Sequence, residues 1–172
     1  MQASTVLSKR ITARPFLRYL LLISLATATP VFAAEQAQAF TLPGRDQPVS
    51  LTALRGKVVY VDFWASWCIP CRKSFPWMNS LQKRYADQGL VIVAVNLDKT
   101  RELSDHFLSE VPAELTIAYD PEGKVASAYK VKGMPSSYLI DRAGRIHSSH
   151  IGFREETAAD MEVAIKALLQ HP

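Results

Sequence analysis

The chain has 172 residues, of which 48% are hydrophobic and 21% are charged, so it is long enough for one ordinary domain with a real core. Its net charge of +4 comes from 20 basic and 16 acidic residues, and four of the basic residues lie before Ala34. The remainder carries 16 basic residues against 16 acidic ones, and this balance argues against a nucleic-acid-binding surface.

Residues 1–33 have the pattern of a secretory signal peptide. A basic stretch over residues 9–18 precedes the apolar run Tyr19–Ala26, and Val31 and Ala33 stand at the −3 and −1 positions of a cleavage site. The apolar run is shorter than the ~18–20 residues of a membrane-spanning helix, which favours cleavage. An uncleaved anchor is the alternative, because interrupted apolar residues continue to Ala34. We therefore expect a periplasmic or otherwise exported protein, soluble after cleavage or membrane-anchored if the leader is retained.

Residues 34–39 are predicted to be a flexible start, and residues 40–170 to be a single domain. Its first half combines short strands, long apolar strands and a helix. In chain order these are strands at Phe40–Leu42 and Val49–Leu51, a buried strand at Val58–Phe63, a helix at Arg72–Gln88 and a buried strand at Leu90–Val95. Two apolar strands joined by one helix predict a right-handed unit with parallel strands.

The second half continues the alternation and ends in a β-hairpin and a closing helix. The predicted elements are a helix at Thr100–Leu108 with Leu103 and Phe107 facing inward, a strand at Thr116–Tyr119, a short helix at Lys124–Tyr129, a hairpin of Ser137–Ile140 with Ile146–Ile151, and a helix from about Thr157 that buries Met161, Ala164, Ile165 and Leu168. This order predicts a three-layer α/β domain with one central mixed sheet.

Cys68 and Cys71 are the two cysteines of the chain, and they lie between a predicted buried strand and a predicted helix. A Cys-x-x-Cys pair at such a junction indicates thiol–disulfide redox chemistry, because the helix dipole stabilises a thiolate on the first cysteine. A zinc site would need a second ligand pair, and a structural staple around so short a loop would constrain the unfolded chain little. Pro70 suits the first turn of the helix.

Asp62 is a single carboxyl group in an otherwise apolar strand. Such a group is costly to bury unless it is paired, hydrated or protonated, which marks it as a candidate functional residue. The alternative is an aspartate at the end of a strand that faces solvent. Trp64 and Trp67 are candidates for an apolar rim around Cys68, although either could belong to the core. His147 and His150 are three residues apart in a strand, do not share a face and are poor joint metal ligands.

Two motifs resemble the thioredoxin superfamily, and more narrowly its exported TlpA-like and ResA-like branch, which includes cytochrome c maturation reductases. They are residues 61–71, VDFWASWCIPC, and residues 133–141, GMPSSYLID. The resemblance covers roughly residues 40–169. It implies a thioredoxin-like fold with short N-terminal strands and an αβ insertion before the hairpin. It also implies that Cys68 is an exposed nucleophile, Cys71 a partially buried resolving thiol and Pro135 a cis-proline beside the disulfide.

The same resemblance assigns further roles around the cysteine pair. Asp62 would relay a proton for Cys71, and the backbone of Met134 would pair with a substrate peptide. Trp67, Ile69 and Pro70 are the remaining candidates for substrate contact, and Ile69 and Pro70 also contribute to the redox potential. Two departures stand out: Ser74 replaces the glutamate that many TlpA-like proteins have, and Ala94 replaces the lysine that thioredoxins usually place opposite the buried acid.

The expected function is that of an exported thiol–disulfide oxidoreductase that reduces disulfides in envelope proteins through Cys68 and Cys71. Neither a metal nor an organic cofactor is expected. The expected partners are exported clients and a membrane-embedded electron donor, and the expected state is a monomer. Two alternatives stay open: an oxidant that forms disulfides, since potentials in this superfamily run from about −270 to about −120 mV, and a copper-binding or metal-delivery protein on the same fold.

Overall fold

The computed structural model describes residues 35–170. The predicted signal peptide and its cleavage site lie outside these residues. The strands are β1 (Thr41–Leu42), β2 (Val49–Ser50), β3 (Val58–Trp64), β4 (Leu90–Asn96), β5 (Thr116–Tyr119), β6 (Ser136–Ile140) and β7 (Ile146–Ile151). The α-helices are α1 (Ile69–Tyr85), α2 (Arg101–Glu110), α3 (Lys124–Ala128) and α4 (Glu155–Gln170). Within residues 35–170, no helix has the length and apolar content needed to cross a bilayer.

The central sheet has five strands in the order β5-β4-β3-β6-β7. The β3–β4 and β4–β5 pairs are parallel, whereas β3–β6 and β6–β7 are antiparallel. The predicted mixed sheet, the parallel unit and the C-terminal hairpin are therefore confirmed. β3 lies at the centre, so the segment that follows it, which carries both cysteines, starts from the most buried part of the sheet.

Side chains alternate along β3 and divide the core into two layers. Tyr60 and Trp64 belong to the layer that contains Cys71, together with apolar residues of α1, α2 and α4. Val61 and Phe63 face the opposite layer, which α3 and the N-terminal segment cover. Helices on both faces explain why β3 is apolar on both sides, as predicted for a strand buried in the middle of a sheet.

The N-terminal segment lies against the hairpin rather than forming the expected flexible start. Gln36 pairs with Arg145 in an isolated β-bridge, and the amide of Ala37 donates to the carbonyl of Gly144 at 3.0 Å. Ala37 is also buried. Short polar and alanine residues gave no sign of this contact, because it satisfies backbone groups rather than a side-chain pattern.

Three element predictions need correction. α1 begins at Ile69 rather than Arg72, because Cys68 acts as its N-cap and Pro70 fits the first turn. Leu103 is 48% exposed, since α2 buries only the narrow stripe through Ser104 and Phe107. α4 begins at Glu155, so its first turn precedes Thr157. The stripe predicted for α4 is present, with Ile165 buried and Met161, Ala164 and Leu168 packed against the core.

Candidate active site

Cys68 and Cys71 form a disulfide at the N-terminus of α1, with 5.3 Å between their Cα atoms. The Sγ atom of Cys68 accepts a hydrogen bond from the amide of Cys71 at 3.2 Å, so the first sulfur caps the helix. Cys68 is 4% exposed and Cys71 is fully buried. The expected exposed nucleophile and partially buried partner are therefore both more enclosed than predicted, because both cysteines belong to the buried core cluster, although Cys68 remains the more accessible of the two.

The start of α1 is electropositive. Its first turn contains no acidic residue, and Arg72 and Lys73 follow directly after Cys71. Arg72 lies 2.9 Å from Glu110 in an exposed ion pair, and its guanidinium lies over the ring of Phe107. The helix N-terminus and the cations together favour a thiolate on Cys68 once the disulfide is reduced.

Asp62 projects into the same core layer as the cysteines, since it alternates with the neighbouring side chains of β3. The group is 1% exposed, and no hydrogen bond reaches its Oδ2 atom from residues 35–170. Burial raises the pKa of Asp62 well above its ordinary value, while the hydroxyl of Ser137 acts more weakly in the opposite direction. The predicted buried carboxyl is thus present, and the solvent-facing alternative is wrong.

The two departures from the related proteins also lie in this layer. Ala94 stands directly beside Asp62 in the β3–β4 register and is fully buried, so the strand supplies no lysine there. Ser74 is buried, and its hydroxyl donates to the carbonyl of Cys71 at 3.0 Å. Ser74 thereby binds the backbone of the second cysteine and brings no ionisable group to this position.

The loop before β6 forms the opposite side of the site. The Met134–Pro135 peptide bond is cis, as the resemblance implied. Pro135 is buried, and its carbonyl accepts a hydrogen bond from the amide of Gly152 at 2.7 Å. The backbone N–H and C=O of Met134 make no hydrogen bond to any of residues 35–170. They are therefore available to an extended peptide.

Exposed apolar side chains surround the cysteine pair. Trp67, a candidate for the rim, is 70% exposed, and Ile69, a candidate for substrate contact, is 75% exposed, so both lie on the surface. Trp64, by contrast, is fully buried against Phe75 and Phe107. An open groove of about 530 Å³ adjoins Trp67. Its lining comprises Trp67, Leu97, Gly123, Ala126, Ser127, Val131, Lys132, Gly133 and Met134.

Sequence reasoning missed a polar cluster at the end of β4. The carboxylate of Asp98 is buried and binds Ser66, which lies in the turn before Trp67. Asn96 donates to the same carboxylate at 2.8 Å. The sequence did indicate this cluster, because the polar residues Asn96 and Asp98 stand at the carboxyl end of an otherwise apolar parallel strand. Functional groups of α/β folds gather at this end of the strands. Ser137, opposite Asp62, was missed as well.

The two histidines considered as metal ligands lie on the edge strand of the central sheet. His147 is exposed and His150 is half-buried, both on β7. The ring of Trp77 packs on Tyr60 and on Phe153. In the described range 35–170, no three His, Cys, Asp or Glu side chains come close enough to share a metal ion.

Comparisons with known proteins agree with this geometry. Residues 33–149 match the family model described as AhpC/TSA family. A curated thiol-disulfide oxidoreductase ResA from Bacillus cereus is 34% identical over 66% of this chain and 65% of its own length, just under two thirds. The ResA of Bacillus thuringiensis is 33% identical over 70% of this chain and 68% of its own.

Solved structures extend the likeness to almost their whole length. A Chlorobium tepidum protein, described as a thiol:disulfide interchange protein DsbE, is 49% identical with a TM-score of 0.78, covering 79% of this chain and 96% of its own. A Bacteroides thetaiotaomicron structure, described as a protein disulfide isomerase, is 28% identical with a TM-score of 0.75, covering 80% of this chain and 90% of its own.

Proposed function

Because this chain belongs to the AhpC/TSA family and, within it, to the ResA-like thiol–disulfide oxidoreductases, we propose that it reduces disulfides in exported proteins. The observation that carries the proposal is the Cys68–Cys71 disulfide at the N-terminus of α1. An opened pair at this position has one sulfur at the positive end of a helix and one in the same core layer as a buried acid.

The reductive half-cycle begins with the Cys68 thiolate. Its sulfur attacks one sulfur of a client disulfide, a Cys68–client bond forms, and the other client sulfur leaves as a thiolate. Cys71, as thiolate, then attacks Cys68 and displaces the client's remaining sulfur. The products are a client dithiol and the internal Cys68–Cys71 disulfide, so two electrons pass from this protein to the client. Protons from solvent neutralise the released thiolates.

Asp62 supports the second step. A carboxyl group with a raised pKa, in the same layer as the fully buried Cys71, is suited to accept the proton that Cys71 loses. A buried negative charge also disfavours a thiolate on Cys71 and so favours the disulfide form. The buried charge therefore supports the proposal that this protein is a reductant. The cations at the start of α1 have the opposite effect, because they stabilise the thiolate form.

We also propose that the protein is exported and that it depends on a partner for its electrons. The signal-peptide pattern of residues 1–33 supports a location outside the cytoplasm, where an oxidising environment would close the Cys68–Cys71 disulfide. The protein then needs a dedicated electron donor, for which we propose a membrane-embedded thiol carrier. The client would be an exported protein with a disulfide that must be opened, and cytochrome c maturation is the process that the family resemblance favours.

A Cys71→Ser variant tests the function directly. Without the resolving thiol, the mixed disulfide between Cys68 and a client should accumulate and be released by dithiothreitol. A Cys68→Ser variant is the matched control and should capture nothing. Equal capture by both variants, or reduction of a protein disulfide by Cys68→Ser, would contradict the proposal.

The direction of electron transfer between this protein and its client requires a separate measurement. Titration against glutathione should give a reduction potential towards the reducing end of the superfamily range, about −270 mV rather than about −120 mV. Asp62→Asn should make the potential less negative, because the charge that disfavours the Cys71 thiolate is removed. A wild-type reduction potential near about −120 mV would instead identify an oxidant that forms disulfides.

A further inference from the structure

Asp98 is a buried carboxylate that the thiol chemistry does not use. It lies just after β4 and accepts three hydrogen bonds: from the amide of Ser66 at 2.9 Å, from the hydroxyl of Ser66 at 2.9 Å and from the side-chain amide of Asn96 at 2.8 Å. Its own amide donates to the side-chain oxygen of Asn96 at 3.1 Å. A buried charged acceptor with three donors is a strong and directional anchor.

This anchor acts on the turn that precedes the nucleophile. Ser66 is followed by the exposed Trp67 and then by Cys68, whose amide donates to the carbonyl of Ala65 at 3.0 Å. The amide of Leu97 also donates to the carbonyl of Trp64 at 2.9 Å. The backbone is therefore fixed on both sides of Trp67, and the large indole projects from a rigid turn rather than from a free loop.

The same cluster is also linked by hydrogen bonds to the start of α3, whose Ala126 lines the groove. The carbonyl of Asn96 accepts a hydrogen bond from the amide of Asp120 at 2.8 Å. The buried carboxylate of Asp120 in turn accepts from the amides of Lys124 at 3.0 Å and Ala126 at 2.9 Å, and so caps the start of α3. Trp67 and Ala126 both line the groove. Asn96 therefore connects the hydrogen bonds that support the turn before Trp67 with those that support the start of α3.

We propose that Asp98 is a positioning residue for client docking. By holding Ser66, it fixes the turn that carries Trp67, a residue that lines the same groove as Met134, and so orients the indole next to Cys68 for a docking peptide. The inference rests on the proposed function for the nature of the client. The docking geometry itself would serve electron transfer from this protein to the client or from the client to this protein. Asp98 itself contacts neither sulfur of the disulfide in any hydrogen bond of residues 35–170.

Three variants separate the positioning role of Asp98 from the effect of its negative charge. In Asp98→Asn, the amide oxygen can keep the bonds from the Ser66 amide and Asn96, while the new NH₂ donates to the Ser66 hydroxyl, which accepts. Asp98→Asn therefore retains the anchor without its charge. Asp98→Ala removes all three acceptor contacts, and Ser66→Ala removes one of them while leaving the backbone bond in place.

The test compares a protein substrate with a small one. We expect the KM for insulin to rise about tenfold in Asp98→Ala and about threefold in Ser66→Ala, and to stay near the wild-type value in Asp98→Asn. The rate with cystamine, a small disulfide that needs no groove, should stay unchanged in all three variants. Asp105→Ala, on the exposed face of α2, is the matched control and should behave as wild type with both substrates.

Three outcomes overturn the inference. An unchanged KM for insulin in Asp98→Ala excludes positioning, and a defect of Asp98→Asn as large as that of Asp98→Ala shows that charge matters instead. An equal loss with cystamine indicates damage to the thiol chemistry. If Asp98→Ala does not fold, Ser66→Ala decides. If the wild type reduces no insulin, the proposed function fails, and the same variants are compared in oxidation of reduced, unfolded ribonuclease, where the same KM pattern is expected.

Discussion

Asp62 and Ser137 face each other directly across the antiparallel pair of β3 and β6. Both are buried. The Ser137 hydroxyl lowers the pKa of Asp62, against a larger increase caused by burial. Tyr60, on the same face of β3, is under related influences: burial and the Asp62 charge raise its pKa, and Ser137 lowers it. The acid in this layer is thus tuned by a hydroxyl group on β6, while its neighbour on β4 is the uncharged Ala94.

Asp62→Asn should change how stability depends on pH. The folded carboxyl has a pKa above the unfolded value of about 3.9, so the native state holds the proton more tightly than the unfolded chain does. The wild-type free energy of unfolding therefore falls as the pH rises from about 4 through the folded pKa. Asparagine cannot ionise, and its curve should lack this fall. Urea unfolding of the oxidised protein at several pH values measures the difference.

The same variant should slow turnover about a hundredfold at neutral pH, because the Cys71 thiol loses its proton acceptor. Steady-state reduction of a protein disulfide measures this rate. Asp160→Asn replaces an exposed aspartate on α4 and serves as the control for both experiments. Wild-type turnover together with parallel pH–stability curves in Asp62→Asn would remove Asp62 from the mechanism.

Ser137→Ala should shift the pH profile of turnover towards alkaline values. Removing the hydroxyl removes the influence that lowers the pKa of Asp62, so the carboxyl ionises at a higher pH. Ser137→Thr keeps a hydroxyl and should restore the wild-type profile, and Ser149→Ala on exposed β7 is the control. Superimposable profiles for Ser137→Ala and the wild type would show that this hydroxyl has no effect on the acid.

Trp67→Ala and Ile69→Ala should weaken client docking. Both side chains are exposed beside Cys68, and apolar anchors at the centre of an interface commonly contribute more than about 1 kcal/mol. We expect the KM for a protein disulfide to rise about fivefold or more, with little change for cystamine. Val163→Ala, which truncates a similarly exposed apolar residue on α4, is the control. Equal effects at Val163 and Trp67 would argue against a specific docking surface.

Glu162→Gln should lower stability without affecting the thiol chemistry. Glu162 accepts hydrogen bonds from the two terminal guanidinium nitrogens of Arg84, at 2.5 and 3.0 Å, and from the hydroxyl of Tyr85 at 2.7 Å, which ties α4 to the end of α1. The pair is partly exposed, so the loss should be only about 1 kcal/mol and the fall in Tm about 2–4 °C.

This contribution should also disappear in acid. The hydrogen bond from Arg84 is the main cause that lowers the pKa of Glu162, so the stabilisation is present above the unfolded value of about 4.3 and is lost as the pH falls through the folded pKa. Calorimetry at neutral and acidic pH measures it. Glu156→Gln, at an exposed position earlier in α4, is the control. A Tm difference that persists unchanged in acid would assign the effect to packing.

The sequence predicted site residues best where the residue type and its position allowed few physical explanations. Cys68 and Cys71 at a strand–helix junction, and Asp62 in an apolar strand, were identified from spacing and burial cost. Pro135 needed the family resemblance, because a cis bond leaves no trace in composition. The apolar periods predicted β3, β4 and the hairpin closely, since buried strands have a simple pattern.

Features that depend on pairing between distant segments were not accessible in this way. Asp98 binds Ser66 only because β3 and β4 lie side by side, and Ser137 meets Asp62 only through the β3–β6 register. The contact of Ala37 with Gly144 satisfies backbone groups and carries no side-chain signal. Leu103 fits a helical period and is nevertheless exposed, because the period cannot tell how wide a stripe the neighbouring layer covers.

The antiparallel pairing of β3 with β6 has a consequence for how the protein matures. Cys68 and Cys71 lie between β3 and α1, whereas Met134 and Pro135 come from the loop before β6, which the long-range β3–β6 pair brings to the end of β3. Pairings between distant segments form slowly. Before this pair closes, we expect the two thiols to lack the Met134–Pro135 side of the site. The surface proposed for docking is complete only when the sheet is complete.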